Sequence, residues 1–94
     1  INGKNGIKNK NSKNVYIHDL NINVSDRAIY IDNDTKMSGY STYIKGNTAI
    51  EVNYKGKGYF NNCEVHGKRK IDEFKFIVHY KGELTLDNCS TFDN

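Results

Sequence analysis

With 94 residues, 27% of them charged and none proline or tryptophan, the chain is long enough for one small domain or a piece of a larger one and too short for a two-domain enzyme. No apolar run approaches the roughly 20 residues that a membrane-crossing helix needs, so no membrane contact is expected. The net charge of +3 falls short of a nucleic-acid module, and the lysines are not interleaved with stacking aromatics, so nucleic acid is not an expected partner. Ile and Val number 15 against three Leu and two Ala, and Tyr and Phe add 11, which suits pleated strands over helices. Fourteen Asn and eight Gly predict many tight bends. The chain opens on Ile1 without a basic-then-apolar leader and is read as a piece of a longer protein or a mature product.

In chain order, residues 1–14 hold Asn, Lys and Gly around Ile1 and Ile7 and read as a turn-rich connection, with residues 15–94 forming the structured unit. Val15 and Ile17 alternate with Tyr16 and His18, and then Leu20, Ile22 and Val24 alternate with Asn21 and Asn23. The phase slips by one residue at Asp19, which predicts a bend that keeps two short strands on one core. The same grammar recurs in Phe60-Asn61-Asn62-Cys63 and Leu86-Asp87-Asn88-Cys89, and more weakly in Ile44-Lys45-Gly46-Asn47. A second column contains Ile29-Tyr30-Ile31-Asp32, Ile50-Glu51-Val52-Asn53 and Phe76-Ile77-Val78-His79. Repeats of this length with no helical pattern between them cannot bury their apolar face alone and must stack. The expected fold is all-β, about four coils of a parallel β-helix that continues in a longer solenoid. The alternative is a small antiparallel sandwich or barrel turning at Asn5-Gly6 and Lys55-Gly56-Lys57-Gly58, which would serve as a protein-interaction module.

The segments NSKNVYIHDLNI, STYIKGNTAIEV, YFNNCEV and LTLDNCST together resemble the right-handed parallel β-helix, or pectin-lyase-like, superfamily. The resemblance covers about residues 14–92 and is one of pattern. It implies a bend ladder with Asn62 and Asn88 as direct members and Asp19 and Gly46 as imperfect ones, with Cys63 and Cys89 as stacked interior neighbours. The superfamily includes polysaccharide lyases and hydrolases, bacterial surface proteins, and the tailspikes and appendages with which bacteriophages bind host glycans. The resemblance therefore implies an extracellular or virion-surface location and cell-surface polysaccharide as ligand. Its partner would be the rest of a parent chain or identical chains, for instance in a trimer.

Aligning Ile31, Val52 and Val78 as one inward rung places Asp32, Asn53 and His79 in one outward row and Tyr30, Glu51 and Ile77 in another. Asp32 and Glu51 then fall very roughly 8 Å apart from strand geometry, near the separation used by inverting glycoside hydrolases. They are the candidate catalytic pair, and Tyr30, Asn53 and His79 the candidate carbohydrate contacts. The opposing reading of all five is an ordinary solvated face. Cys63 and Cys89 are too few for a disulfide framework or a four-ligand zinc site. Asp32-Asn33-Asp34 offers oxygens for calcium but lacks the rest of an EF-hand loop, so no metal or cofactor is expected. The Lys68-Arg69-Lys70 cluster, followed by Asp72 and Glu73, reads as a solvated loop.

Overall fold

The computed structural model describes residues 1–70 and 73–94, and the side chains of all of these but 69, 70 and 73. Three parallel sheets run up the molecule and the chain visits them in rotation, making a β-solenoid of about four coils. The first sheet contains Asn2–Gly3, Asn21–Val24, Tyr43–Lys45, Glu64–Gly67 and Ser90–Asp93. The second contains Ile7–Asn9, Arg27–Ile31, Thr48–Val52 and Phe76–Val78. The third contains Asn14–His18, Lys36–Tyr40, Lys57–Asn61 and Glu83–Asp87. No helix occurs among the described residues. Parallel pairing throughout the three sheets excludes the hairpin sandwich, whose strands would run antiparallel.

In the third sheet Asn14 faces Lys36, Lys36 faces Lys57 and Lys57 faces Glu83, steps of 22, 21 and 26 residues. The longest step contains an antiparallel pair, Arg69–Lys70 with Glu73–Phe74, set between the first and second sheets. The Lys68-Arg69-Lys70 cluster thus enters this pair. The side chains of 69, 70 and 73, and all of residues 71 and 72, lie outside the described residues, so the solvated-loop expectation is left there.

Local backbone chemistry sets the corners. From the third sheet to the first, the chain bends at Asp19, Ser41, Asn62 and Asn88, each with φ between 50° and 56°. That left-handed conformation strains most side chains and is best tolerated by short polar ones. The fourth member of the column is therefore Ser41 and not Gly46, which lies at the corner between the first and second sheets. The 16-residue gap between Ile44 and Phe60 arises because those two residues sit on different sheets. Backbone hydrogen bonds join the bends, Asp19 N–H to Tyr40 O, Ser41 N–H to Asn61 O and Asn62 N–H to Asp87 O, each 3.1 Å. A side-chain rung joins two of them as well, Asn62 Nδ2 donating to Ser41 Oγ at 3.3 Å.

Between the second and third sheets, two consecutive residues take positive φ in three successive coils: Asn33 and Asp34, Tyr54 and Lys55, Tyr80 and Lys81. The backbone closes each turn, from Thr35 N–H to Asp32 O, Gly56 N–H to Asn53 O and Gly82 N–H to His79 O. These are type I′ turns. Asp32-Asn33-Asp34 thus has a conformational reason to be rich in Asp and Asn.

The core is a set of columns. Ile29 and Ile50 are fully buried and continue into Phe76 on the second sheet, and Ile22, Ile44 and Val65 form a fully buried column on the first. Phe60 fills the centre beneath the third sheet. It does so because its neighbours in the rung above and beside it are glycines: a Cβ on Gly39 would sit 2.5 Å from the Phe60 ring, and one on Gly58 3.1 Å from it. Just past each bend, Thr42, Cys63 and Cys89 hydrogen-bond the carbonyl two residues back, at 2.9, 3.4 and 3.4 Å. Cys63 and Cys89 also touch directly, Cys63 N–H donating to Cys89 Sγ at 3.4 Å, and both are free thiols. Burial pushes the Cys63 thiol pKa up.

Candidate functional site

The residues expected to face outward on the second sheet do come together, but Asp32 and Asn53 are buried within the cluster. Tyr30 faces Glu51 and Glu51 faces Ile77 across adjacent strands, while Asp32, Asn53 and His79 follow the inward rung Ile31, Val52 and Val78. Tyr30 Oη donates to Asp32 Oδ2 at 2.8 Å, and Asn33 N–H holds Asp32 Oδ1 at 2.8 Å. Asn53 Nδ2 donates to Glu51 Oε2 at 3.0 Å and reaches Tyr30 Oη at 3.4 Å. The phenol oxygen and the Asn53 amide therefore link the two carboxylates.

Arg27, outside the expected set, completes this network. Its Nη1 lies 3.1 Å from Glu51 Oε1 and its guanidinium carbon 3.9 Å from the centre of the Tyr30 ring. A guanidinium this close to a ring face is held by the ring quadrupole. One face of Tyr30 is thus occupied, and the ring is not open on that side to a sugar. Burial pushes the Tyr30 pKa upward; the Asn53 hydrogen bond opposes this, and the Asp32 and Glu51 carboxylates add to it.

Asn53 is 7% exposed, and its Oδ1 is buried with no hydrogen-bond partner. Rotating the amide would turn that oxygen toward the Glu51 carboxylate, so the network holds the amide as it stands. An unpaired buried acceptor costs about 1–3 kcal/mol. The cluster is kept in spite of that cost.

His79 forms the outer boundary. Its Nε2 lies 3.8 Å from Glu51 Oε2, and its ring centre is 4.8 Å from that of Tyr80. Tyr80 in turn stacks on Tyr54, with centroids 4.7 Å apart and planes 5° from parallel. Both rings project from the type I′ turns at the edge of the second sheet and are 61% and 53% exposed. Composition and alternation do not single these tyrosines out. The signal that does is the tripeptide Tyr-Lys-Gly, at 54–56 and again at 80–82, which places each ring at the same left-handed turn position one coil apart.

The site is thus a polar strip, Arg27, Glu51 and His79, running into an exposed aromatic pair. No group of three or more His, Cys, Asp or Glu side chains among the described residues is arranged to hold a metal ion. No protein-family model matches the chain, and no curated protein or solved structure matches it significantly.

Proposed function

We propose that the chain is a segment of an extracellular or virion-surface protein, of the tailspike or appendage type, in which the solenoid is a rigid stack and the outer face of the second sheet binds cell-surface glycan. One observation carries this reading: the exposed Tyr54–Tyr80 pair is contiguous with the Arg27–Glu51–His79 strip through His79. A sugar offers an apolar ring face and a rim of hydroxyls. The ring surface that Tyr54 and Tyr80 leave exposed outside their stack provides the apolar platform, and the Glu51 carboxylate with Arg27 and His79 beside it provides hydrogen-bonding groups for the rim. The resemblance to the β-helix superfamily supports the same reading, with further coils of a parent chain or identical chains as the partners of the stack.

A second reading, a polysaccharide lyase or glycoside hydrolase acting through Asp32 and Glu51, is favoured by the linkage of both acids through Tyr30 and Asn53. One experiment separates the two. The chain is presented to a panel of bacterial surface glycans, with retention on immobilised glycan and release of reducing or unsaturated ends followed together. The binding reading predicts retention of the wild type without cleavage, and loss of retention in Tyr54→Ala/Tyr80→Ala. Cleavage that disappears in Asp32→Asn and Glu51→Gln would establish the enzyme instead. Retention unchanged in the double tyrosine variant would remove the binding reading.

A further inference from the structure

The third sheet carries a separate feature on its outer face. A groove of about 270 Å³ runs across three coils between Lys36, Lys57 and Glu83 on one side and Ser38, Tyr59 and Thr85 on the other. It exists because Tyr59 stands between two short side chains, Ser38 in the rung before it and Thr85 in the rung after. The Tyr59 ring is held in place: Asn61 Nδ2 donates to its oxygen at 3.1 Å, and that oxygen reaches Asp87 Oδ2 at 3.3 Å. Tyr40, 41% exposed, leans toward it with centroids 6.1 Å apart.

The charges along the groove are not balanced. Lys36 and Lys57 face each other on neighbouring strands, and like charges in that position repel. Lys57 has a counter-charge in Glu83, at 3.6 Å, though both are more than half exposed and the pair is correspondingly weak. The Lys36 ammonium has no hydrogen bond or ion pair among the described residues. A negative group placed between the two lysines would relieve the repulsion and give Lys36 the partner it lacks. The groove lies slightly below the range that holds drug-sized ligands, about 300–1,000 Å³, and so suits a single ring and its substituent.

We propose that this groove is a second binding site, for a sugar ring carrying one anionic group. The ring lies against Tyr59, its hydroxyls meet Ser38 and Thr85, and its anion sits between Lys36 and Lys57. This site is independent of the second-sheet face, since it uses another sheet and none of the same side chains.

The probes are glucuronate, glucose 6-sulfate and glucose, each titrated into the intact chain while backbone amide shifts are followed by NMR. Glucuronate or glucose 6-sulfate is expected to shift the amides of residues 36–38, 57–59 and 83–85, and glucose to leave them in place; whichever anion acts identifies a carboxylate or a sulfate as the natural group. Lys36→Gln should weaken the effect up to roughly fivefold, as expected of an exposed charge contact, and Lys36→Arg should retain it. Tyr54→Ala/Tyr80→Ala should not change it, which keeps this test apart from that of the second-sheet face. Because Lys36 is exposed, Lys36→Gln should keep the native amide dispersion, so its loss of binding would not be a loss of fold. The proposal is overturned if glucose shifts the same amides as strongly, if the anions shift amides elsewhere, or if neither anion shifts any.

Discussion

The outer faces of the second and third sheets are built on the same coils and treat their charges in opposite ways. On the second sheet Arg27, Tyr30, Asp32, Glu51 and Asn53 bond mainly to one another, with the Arg27–Glu51–His79 edge and the tyrosine pair beyond it facing outward. On the third sheet Lys36 and Lys57 stand side by side with a single exposed counter-charge, beside an open groove. A parallel stack brings equivalent positions of successive coils within about 5 Å, so every outward row becomes a ladder. Where the row alternates in charge and hydrogen-bonding type, as in Tyr30 and Glu51 beside Arg27, the ladder closes on itself. Where it repeats a charge, the ladder calls for something from outside.

The largest effect on this contrast should come from below both faces. Phe60→Ala empties the core beneath the third sheet, where Gly39 and Gly58 leave no side chain to refill it, and should cost about 3–5 kcal/mol. Chemical denaturation would read this as a lower midpoint with both faces lost together. If the two faces differ as described, substitutions on them should then separate. Arg27→Met removes the partner of a largely buried carboxylate, Glu51, and should cost about 1–2 kcal/mol, whereas Lys36→Gln should stay within about 0.5 kcal/mol of wild type or stabilise slightly. Equal losses in the two variants would erase the distinction between a closed face and an open one.

The smallest effect concerns protons. Tyr30 has its pKa raised above the ordinary value of 10.0, chiefly by burial. The folded chain therefore holds that proton more tightly than the unfolded chain does. The associated stability is fully present below the unfolded value and is lost as pH rises through the folded one. Phenolate absorbance during an alkaline titration should show one tyrosine ionising late, and Tyr30→Phe should delete that late component. An unchanged titration in the variant would assign the late phenol elsewhere.

Much of this architecture could be read before any coordinates. The slip of phase at Asp19 reappears as a left-handed bend, and the pairing of Phe60-Asn61 with Leu86-Asp87 and the rung Ile31, Val52 and Val78 reappear in the sheets as aligned neighbours. They were readable because left-handed bends and inward alternation are properties of a few consecutive residues. Ser41 was not, since a lone serine after Gly39-Tyr40 has no local mark of a bend, and Gly46 offered a stronger but misleading one. The expected outward residues Tyr30, Asp32, Glu51, Asn53 and His79 do share a face, but Arg27 joins them only because its neighbouring coil brings Glu51 alongside.

The amino-acid order by itself pointed to stacked coils, to the bends at Asp19, Asn62 and Asn88 and to the inward columns, because each follows from backbone preference and alternation within one coil. Only the stacked structure decided that Phe60 occupies the space left by Gly39 and Gly58, that Tyr54 and Tyr80 lie ring on ring, and that Lys36 and Lys57 stand side by side along an open groove. Gly58 aside, those contacts join residues some twenty or more positions apart, and their character depends on which coil is neighbour to which and on the space each side chain leaves the next.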